Sequence, residues 1–375
     1  MTKGRQALNL LLMLAAAGLA LITVFTLAAR LWWAFDLFSH FRLQYVIAAL
    51  TLGLAALAVR AYPSAAVLAA VALVHGWAIK DLWWGGTASA APGGVPLRVV
   101  SANVLSQNRT PEKVLEFLRV ADADLVVLVD AKLQRWNSIL AGLGALYPYQ
   151  SPQAWRERPP VVLFSRHPIL DEQVVRPPGG QRPYLVAEVA LGGTTLVVAG
   201  VHPSSPSPTE AGDTRHRNRE LDHIAEVAGE AERPVIVAGD FNTTPWSPRF
   251  QDLLAAAGLR NAAEGQGYIG TYPTAFWPAL IPIDHVLLKG PLVATAVRRG
   301  PSVGSDHYPI VADLRLGGTL RWQGPRRQGS PAVRWRPSAA ERSELGCRSA
   351  QSRSARIFAA KHQGPARSRR SATIG

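Results

Sequence analysis

Cysteine is all but absent from this chain: Cys347 is the only one in 375 residues. A disulfide framework is therefore excluded, and cysteine usage is silent on compartment. Acids are scarce beside bases, 26 Asp and Glu against 40 Lys and Arg, which leaves a formal charge of +14. The imbalance is local, because residues 317–375 alone hold 13 Lys and Arg against two acids. That stretch is rich in Arg, Ser, Pro, Gly and Gln and lacks the apolar content to bury a core, so it reads as a basic disordered tail. Such a tail can meet anionic lipid head groups or nucleic acid, although an extension without a partner is the simpler reading. No internal repeat is visible, and the apolar runs long enough to approach a membrane span lie within the first 90 residues.

Those runs are long enough to matter. Leu8 to Ala29 carries no charge over 22 residues, and at about 1.5 Å per residue that length crosses the hydrocarbon core of a bilayer. Two shorter runs follow, Leu43 to Val59 and Ser64 to Ile79, with Trp32 and Trp33 between the first and second as residues suited to an interface. A cleaved signal peptide would end in a small-residue site, which is not evident here, and would not be followed by two more apolar runs. The expectation is a membrane anchor over residues 1–84 with about three transmembrane helices. Lys3 and Arg5 then favour a cytoplasmic N-terminus, which places everything after Trp84 outside: a multi-pass protein of the cell membrane with an extracytoplasmic domain.

Residues 85–96, "GGTASAAPGGVP", read as a flexible linker. From Leu97 to Leu316 short β-rich runs alternate with helical stretches. "PLRVVSANV", "ADLVVLVDA", "PPVVLFSRHPI", "YLVAEVAL", "TTLVVAGVHP", "RPVIVAGDFN", "IDHVLL" and "HYPIVADLRL" read as strands. "TPEKVLEFLRV" starts like a helix, with Thr110 as N-cap and Pro111 at the first helical position, and "TRHRNRELDHIAEVAGEAE" is a charged amphipathic helix. The pattern is that of one mixed α/β domain over residues 97–316.

Polar residues recur where these strands end. Asn103 follows the first and Asp130 the second; His202 ends "TTLVVAGVHP", and Asp240 and Asn242 end "RPVIVAGDFN". Asp284 opens "DHVLL", and Asp306 and His307 precede the last strand. Acids and amides gathered at one sheet edge suit a hard cation such as Mg²⁺, which takes carboxylates, waters and phosphate oxygens. A histidine beside carboxylates suits general acid/base work. Phosphate ester hydrolysis needs that combination. Each acid alone could be a turn or capping residue, but five strands that all end in such chemistry are hard to assign to chance. His167, His216 and His223 have no such context and read as structural or solvated. Arg215 and Arg219 read as a solvated helix face, and Arg156, Arg158 and Arg182 as loop bases.

The strings "SANV", "VHP", "GDFN", "IDHVL" and "SDHYPI", in this order, resemble the endonuclease/exonuclease/phosphatase superfamily of DNase I-like, metal-dependent phosphoesterases. The resemblance spans Leu97 to Leu316. It implies a four-layered α/β sandwich, two mixed sheets face to face with helices outside. It also implies hydrolysis of phosphodiester, phosphomonoester or pyrophosphate bonds with Mg²⁺ or Mn²⁺. Carried over to this sequence, Asn103, Asp130 and Asp306 would hold the metal, Asp130 standing where the family usually has the longer Glu. Asp240 would orient or deprotonate the attacking water, Asn242 would fix the phosphate or that aspartate, and His202 would contact a phosphate oxygen. His307, held by Asp284, would bind and polarise the scissile phosphate.

The spans ahead of such a domain are similar to a membrane-anchored bacterial branch associated with resistance to vancomycin- and teicoplanin-type glycopeptides. That implies a lipid-linked pyrophosphate, a prenyl pyrophosphate, as substrate, with the anchor raising its effective concentration at the site. A membrane-tethered nuclease acting on DNA and a non-catalytic membrane protein that binds phosphorylated ligands are the alternatives. Because every site residue follows Leu97, the chemistry is expected to be complete without residues 1–85.

Overall fold

The computed structural model describes residues 3–85, 94–131, 137–151, 161–207 and 212–317. Residues 318–375, all but the first of the stretch read as a tail, and most of the linker therefore lie outside the described residues, as do Arg156 and Arg158. Five helices come first: α1 (Lys3–Leu27), α2 (Trp33–Ser39), α3 (Arg42–Ala58), α4 (Tyr62–Ala78) and the single turn α5 (Asp81–Trp84). Of these, α1 is by itself long and apolar enough to cross a membrane, α2 and α3 pass that test only as a pair bent by 60°, and α4 is apolar but 17 residues long. Length and composition thus give one or two spans where the sequence suggested three.

Among the described residues twelve strands follow in two six-stranded sheets. The first sheet has the order β11-β12-β1-β2-β4-β3, from β1 (Val95–Asn103), β2 (Leu125–Val129), β3 (Tyr149–Gln150), β4 (Val161–Ser165), β11 (Leu292–Arg299) and β12 (Ile310–Leu316). The second has the order β5-β6-β7-β8-β10-β9, from β5 (Ile169–Val175), β6 (Tyr184–Leu191), β7 (Thr194–Val201), β8 (Val235–Asp240), β9 (Arg260–Asn261) and β10 (Asp284–Lys289). Strand β1 opens two residues before the expected domain start.

The inner faces meet in one apolar interior, with Val99, Val127 and Leu163 of the first sheet against Leu185, Val198, Ile236 and Val286 of the second. Outside the first sheet lie α6 (Glu112–Ala121) and α7 (Asn137–Leu146), with Val114, Leu118 and Leu143 over Val100 and Val126. Outside the second lie α8 (Arg215–Glu230) and α9 (Pro248–Ala257), with Leu221, Ile224 and Phe250 over Val201 and Val237. This is the four-layered α/β sandwich. Strands covered on both faces are apolar at successive positions, which is why "VVLVD" and "VIVAG" run without polar alternation. One detail differs from the sequence reading: Pro111, not Thr110, is the N-cap of α6.

Topology selects the working edge. Each sheet has one parallel pair, β1 with β2 and β7 with β8, so within each pair both carboxyl ends point the same way. Loops at such ends lack strand partners and are free to carry polar groups. Antiparallel pairing of β12 with β1 and of β10 with β8 returns the starts of β12 and β10 to those ends.

The N-terminal helices pack on one another through Leu12, Ala16, Ala49, Ala56 and Leu68. Their ends meet the sandwich through Ile79, Leu82 and Trp246, with Leu43, Val46 and Tyr268 packed alongside. Arg30 adds two 2.8 Å bonds to Asp252.

Candidate active site

Asp240 is the last residue of β8 and Asp284 the first of β10, and antiparallel register sets them opposite each other. Two carboxylates cannot share a dry interior without a positive partner. His307 supplies one, with Nδ1 2.8 Å from Asp284 Oδ2 and Nε2 3.7 Å from Asp240 Oδ2. All three are buried. Burial acts against the charged imidazole, but the Asp284 and Asp240 carboxylates outweigh it and raise His307 to about 9. Burial lifts Asp240 to about 7, with the charge of His307 opposing and that of Asp284 adding. The ring of Tyr272 lies 4.7 Å from that of His307, centre to centre.

Asp240 gathers donors on both oxygens. Oδ1 accepts from the Asn242 backbone N–H at 2.8 Å, Oδ2 from Asn103 Nδ2 at 3.0 Å, and His202 Nε2 stands 3.6 Å from Oδ2. Arg182 Nη1 lies 3.0 Å from His202 Nδ1. A guanidinium only donates, so Nδ1 accepts and the neutral ring carries its proton on Nε2, facing Asp240. Burial first, then the charges of Arg182 and His307, push His202 well below the ordinary imidazole value, which keeps it neutral.

The turns that hold these groups are conformationally special. Five non-glycine residues have positive φ among the described residues, and three of them, Leu105, Asp130 and Asn242, belong to this edge. Left-handed backbone is costly outside glycine, least so for Asn and Asp, and concentrates where function over-determines it. Asn103 Oδ1 accepts from Leu105 N at 3.1 Å, Asp130 Oδ2 accepts from Ser106 N at 2.9 Å, and Ser305 Oγ donates to Asn103 O at 2.7 Å. Asn242 Nδ2 donates to Pro203 O at 2.9 Å and joins the exits of β8 and β7.

Six of the eight residues singled out from the sequence are thus joined or adjacent around Asp240: Asn103, His202, Asp240, Asn242, Asp284 and His307. Asp130 and Asp306 stand at the rim. Among the described residues no hydrogen bond links either to Asp240 or Asp284; Asp306 touches Ser305 Oγ at 3.4 Å, and its carbonyl accepts from Thr274 N at 2.9 Å.

The donors fit a divalent cation. Asp240, Asp284 and His307 bring three ligand atoms within 4.8 Å of one another, and Asp284 Oδ1 is buried without a partner, an oxygen that a water or cation must satisfy. A cation bound by His307 would have to displace its proton. Asn103, itself buried, and Asp130 and Asp306 at the rim offer further oxygen donors, the kind a hard cation takes.

Sequence reasoning overlooked two charged residues on α8 and misread a third. Arg217 and Glu220 share its buried face with Leu221, Ile224 and Ala228. Glu220 Oε1 accepts from Gln181 N, Arg182 N and Ser204 Oγ, and Oε2 from Ser204 N, at 2.6–3.0 Å, so it fixes the loops carrying Arg182 and His202. Arg217 Nη1 donates to Asn242 O at 3.1 Å. The available signal was an Arg and a Glu at apolar-face spacing. Arg182, read as a loop base, turns out to set the tautomer of His202.

Residues 100–307 match the model of the endonuclease/exonuclease/phosphatase family. The chain belongs to this family. The match takes in the central strands of both sheets and every site residue named above. The family's enzymes hydrolyse phosphodiester bonds and depend on divalent metal. No curated protein matches the sequence. Solved structures similar to this chain include an endonuclease/exonuclease/phosphatase from Beutenbergia cavernae (22% identity, 60% of this chain and 72% of that one, TM-score 0.47). Sphingomyelinase C from Streptomyces griseocarneus is similar at 20% identity (58% and 99%, TM-score 0.47). A magnesium-bound mutant of beta toxin from Staphylococcus aureus is similar at 18% (58% and 98%, TM-score 0.46).

Proposed function

We propose that this family member is a membrane-anchored, Mg²⁺- or Mn²⁺-dependent phosphoesterase that acts at the outer face of the cell membrane on a lipid-linked pyrophosphate such as a prenyl pyrophosphate. The observation that carries this reading is the seating of the site's loops on the N-terminal helices. His40 Nδ1 lies 3.0 Å from Thr244 Oγ1 in the turn after β8, and Gln44 Nε2 donates to Leu280 O at 2.9 Å. The segment 272–281 begins at Tyr272, against His307, and ends at that contact with Gln44. Between them Phe276 and Trp277 are 60% and 81% exposed, aromatic residues of the kind that settle at a membrane interface. Helix α1 exposes Leu10, Leu11, Leu14, Leu21 and Leu27, an apolar surface that lipid would cover. At the helix ends away from the sandwich, Arg5 Nη2 bonds Val59 O at 3.0 Å and Arg60 follows, so the positive-inside rule favours a domain on the outer side.

In this reading Asp240 takes the proton of the attacking water, a role suited to a carboxyl titrating near neutrality. Asn242 and His202 hold phosphate oxygens, and His307, oriented by Asp284, polarises the scissile phosphate as the leaving oxygen departs. Asn103, Asp130 and Asp306 would hold the cation, which when bound neutralises charge on the phosphate.

The test is full-length protein in vesicles with Mg²⁺, offered a prenyl pyrophosphate or plasmid DNA. Phosphate release from the lipid, abolished by chelator, is expected. Plasmid cleavage with the lipid ignored would replace this reading with that of a tethered nuclease, and binding of phosphorylated ligands without turnover would replace it with that of a binding protein.

A further inference from the structure

Asp36 lies on α2, far in sequence from the catalytic strands, yet its carboxylate is buried against them. Oδ2 accepts from Arg217 Nη2 at 2.6 Å, and Oδ1 accepts from Ser247 Oγ at 2.8 Å and Ser39 Oγ at 3.2 Å. Arg217 is fully buried. Its Nη2 and Nε also reach Asn218 Oδ1 at 3.2 and 3.3 Å, and its Nη1 meets Asn242 O at 3.1 Å. Asn242 is the residue with left-handed backbone whose N–H bonds Asp240 Oδ1. An unbroken chain of polar contacts therefore runs Asp36, Arg217, Asn242, Asp240. Around it, Ser247 and the His40–Thr244 contact hold the rest of the 242–247 turn to the same helical segment.

We propose that Asp36 is a positioning residue of the catalytic site: by holding Arg217 it pins the carbonyl of Asn242, and so the amide that Asn242 presents to Asp240. The inference rests on the reading of Asp240 and His307 as phosphoesterase machinery, but not on the membrane or on the identity of the substrate. An Arg without room to reach water needs a counter-charge, and a buried pair that loses one partner leaves the other uncompensated. Without Asp36, Arg217 turns from its carbonyl in search of one. Asn242 then relaxes from a backbone conformation that local sequence alone does not favour. Among the described residues of the catalytic domain no carboxylate pairs with this arginine, so docking of the N-terminal helices becomes a condition for a formed site.

The experiment uses full-length protein in detergent, with Mg²⁺ and the small soluble ester bis-p-nitrophenyl phosphate. Asp36→Asn, which is nearly isosteric, should lower kcat by about 10- to 100-fold, the scale on which small misplacements act. Hydrogen exchange should rise in the peptide covering 241–247. Asp36→Glu, which keeps the charge, should recover part of kcat. Arg30→Ala, which breaks another contact between helices and sandwich, should leave kcat unchanged. Arg217→Met should behave like Asp36→Asn, and the double variant should be no worse than Arg217→Met alone. If Arg217→Met fails to fold, Asp36→Asn and Asp36→Glu still decide. Parental kcat in Asp36→Asn overturns the proposal whether or not exchange rises, since exchange alone would mark a merely structural contact. If the parent protein does not turn over the ester, the catalytic reading fails and takes the positioning role with it, and exchange at 241–247 then reports only whether Asp36 holds the turn.

Discussion

Asp240, Asp284 and His307 pose one electrostatic problem, two buried acids and one base, and their protonation follows from it. Asp240→Asn and His307→Ala are expected to reduce turnover of any phosphate ester by several orders of magnitude in a protein that still folds, as steady-state kinetics and a cooperative calorimetric transition would report. Asp284→Asn should cost less than His307→Ala, because the imidazole persists but loses its orienting partner. Asp130→Glu should be tolerated, since the longer side chain restores the family's usual carboxylate; loss of activity would mean that the rim has adapted to Asp. The signs of the two titrations also make a prediction. Asp240, raised from 3.8 to about 7, keeps its proton longer folded than unfolded, so the metal-free protein loses stability as pH rises through that interval. His307, raised from 6.5 to about 9, stabilises the fold fully below 6.5 and loses that contribution as pH rises towards 9. A divalent cation seated on Asp240 or His307 would compete with these protons. Held instead by Asn103, Asp130 and Asp306 it displaces neither, so its stabilising effect on Tm should be nearly flat between about pH 6 and about pH 8, and an effect that grows across this range would move the cation onto Asp240 and His307.

Strand β8 and helix α8 illustrate how elements deliver such groups. At Gly239, just before Asp240, φ is +152° and a Cβ would collide with Val201 O of the parallel neighbour β7. The close approach brings His202 and Asp240 together, so Gly239→Ala should destabilise the domain by about 3 kcal/mol or more, measured by thermal or urea unfolding. Helix α8 is apolar toward the sheet over most of its inner face, but its first turns replace apolar groups with Arg217 and Glu220. The buried carboxylate of Glu220 satisfies three backbone amides and a hydroxyl. Glu220→Ala should cost about 3 kcal/mol in the same assay, because those donors are left unpaired in the interior.

The helical segment and the sandwich form a single unit in this protein over residues 1–321, and that changes what can be expected of either part. The expectation that the chemistry is complete after Leu97 stands against a buried arginine beside the site that takes its counter-charge from Asp36. Orientation is a separate matter and is open to direct test. If the domain is extracytoplasmic, a periplasm-active reporter fused after Leu316 should be active and one fused after Arg60 silent. The reverse pattern would put the sandwich in the cytoplasm and remove the case for a cell-envelope substrate.

Much was legible before any coordinates. Apolar runs separated by turns, with polar residues at their ends, marked most of the strands, a mixed α/β domain and the eight candidate residues, because strand periodicity and turn chemistry are local and leave their mark in order along the chain; the sandwich itself was implied only by the resemblance of the motifs to a family. What could not be read were pairings between distant segments: the register that opposes Asp240 to Asp284, the reach of Arg182 to His202, and the bond from Asp36 across to Arg217. Each joins residues 20 to 181 positions apart, and a carboxylate on an apolar helix has the same letter whether it faces water or a buried guanidinium. Only the packing of α2 and α8 against the exit of β8 decides that, since burial creates the need for a counter-charge and the tertiary fold determines which group is near enough to meet it.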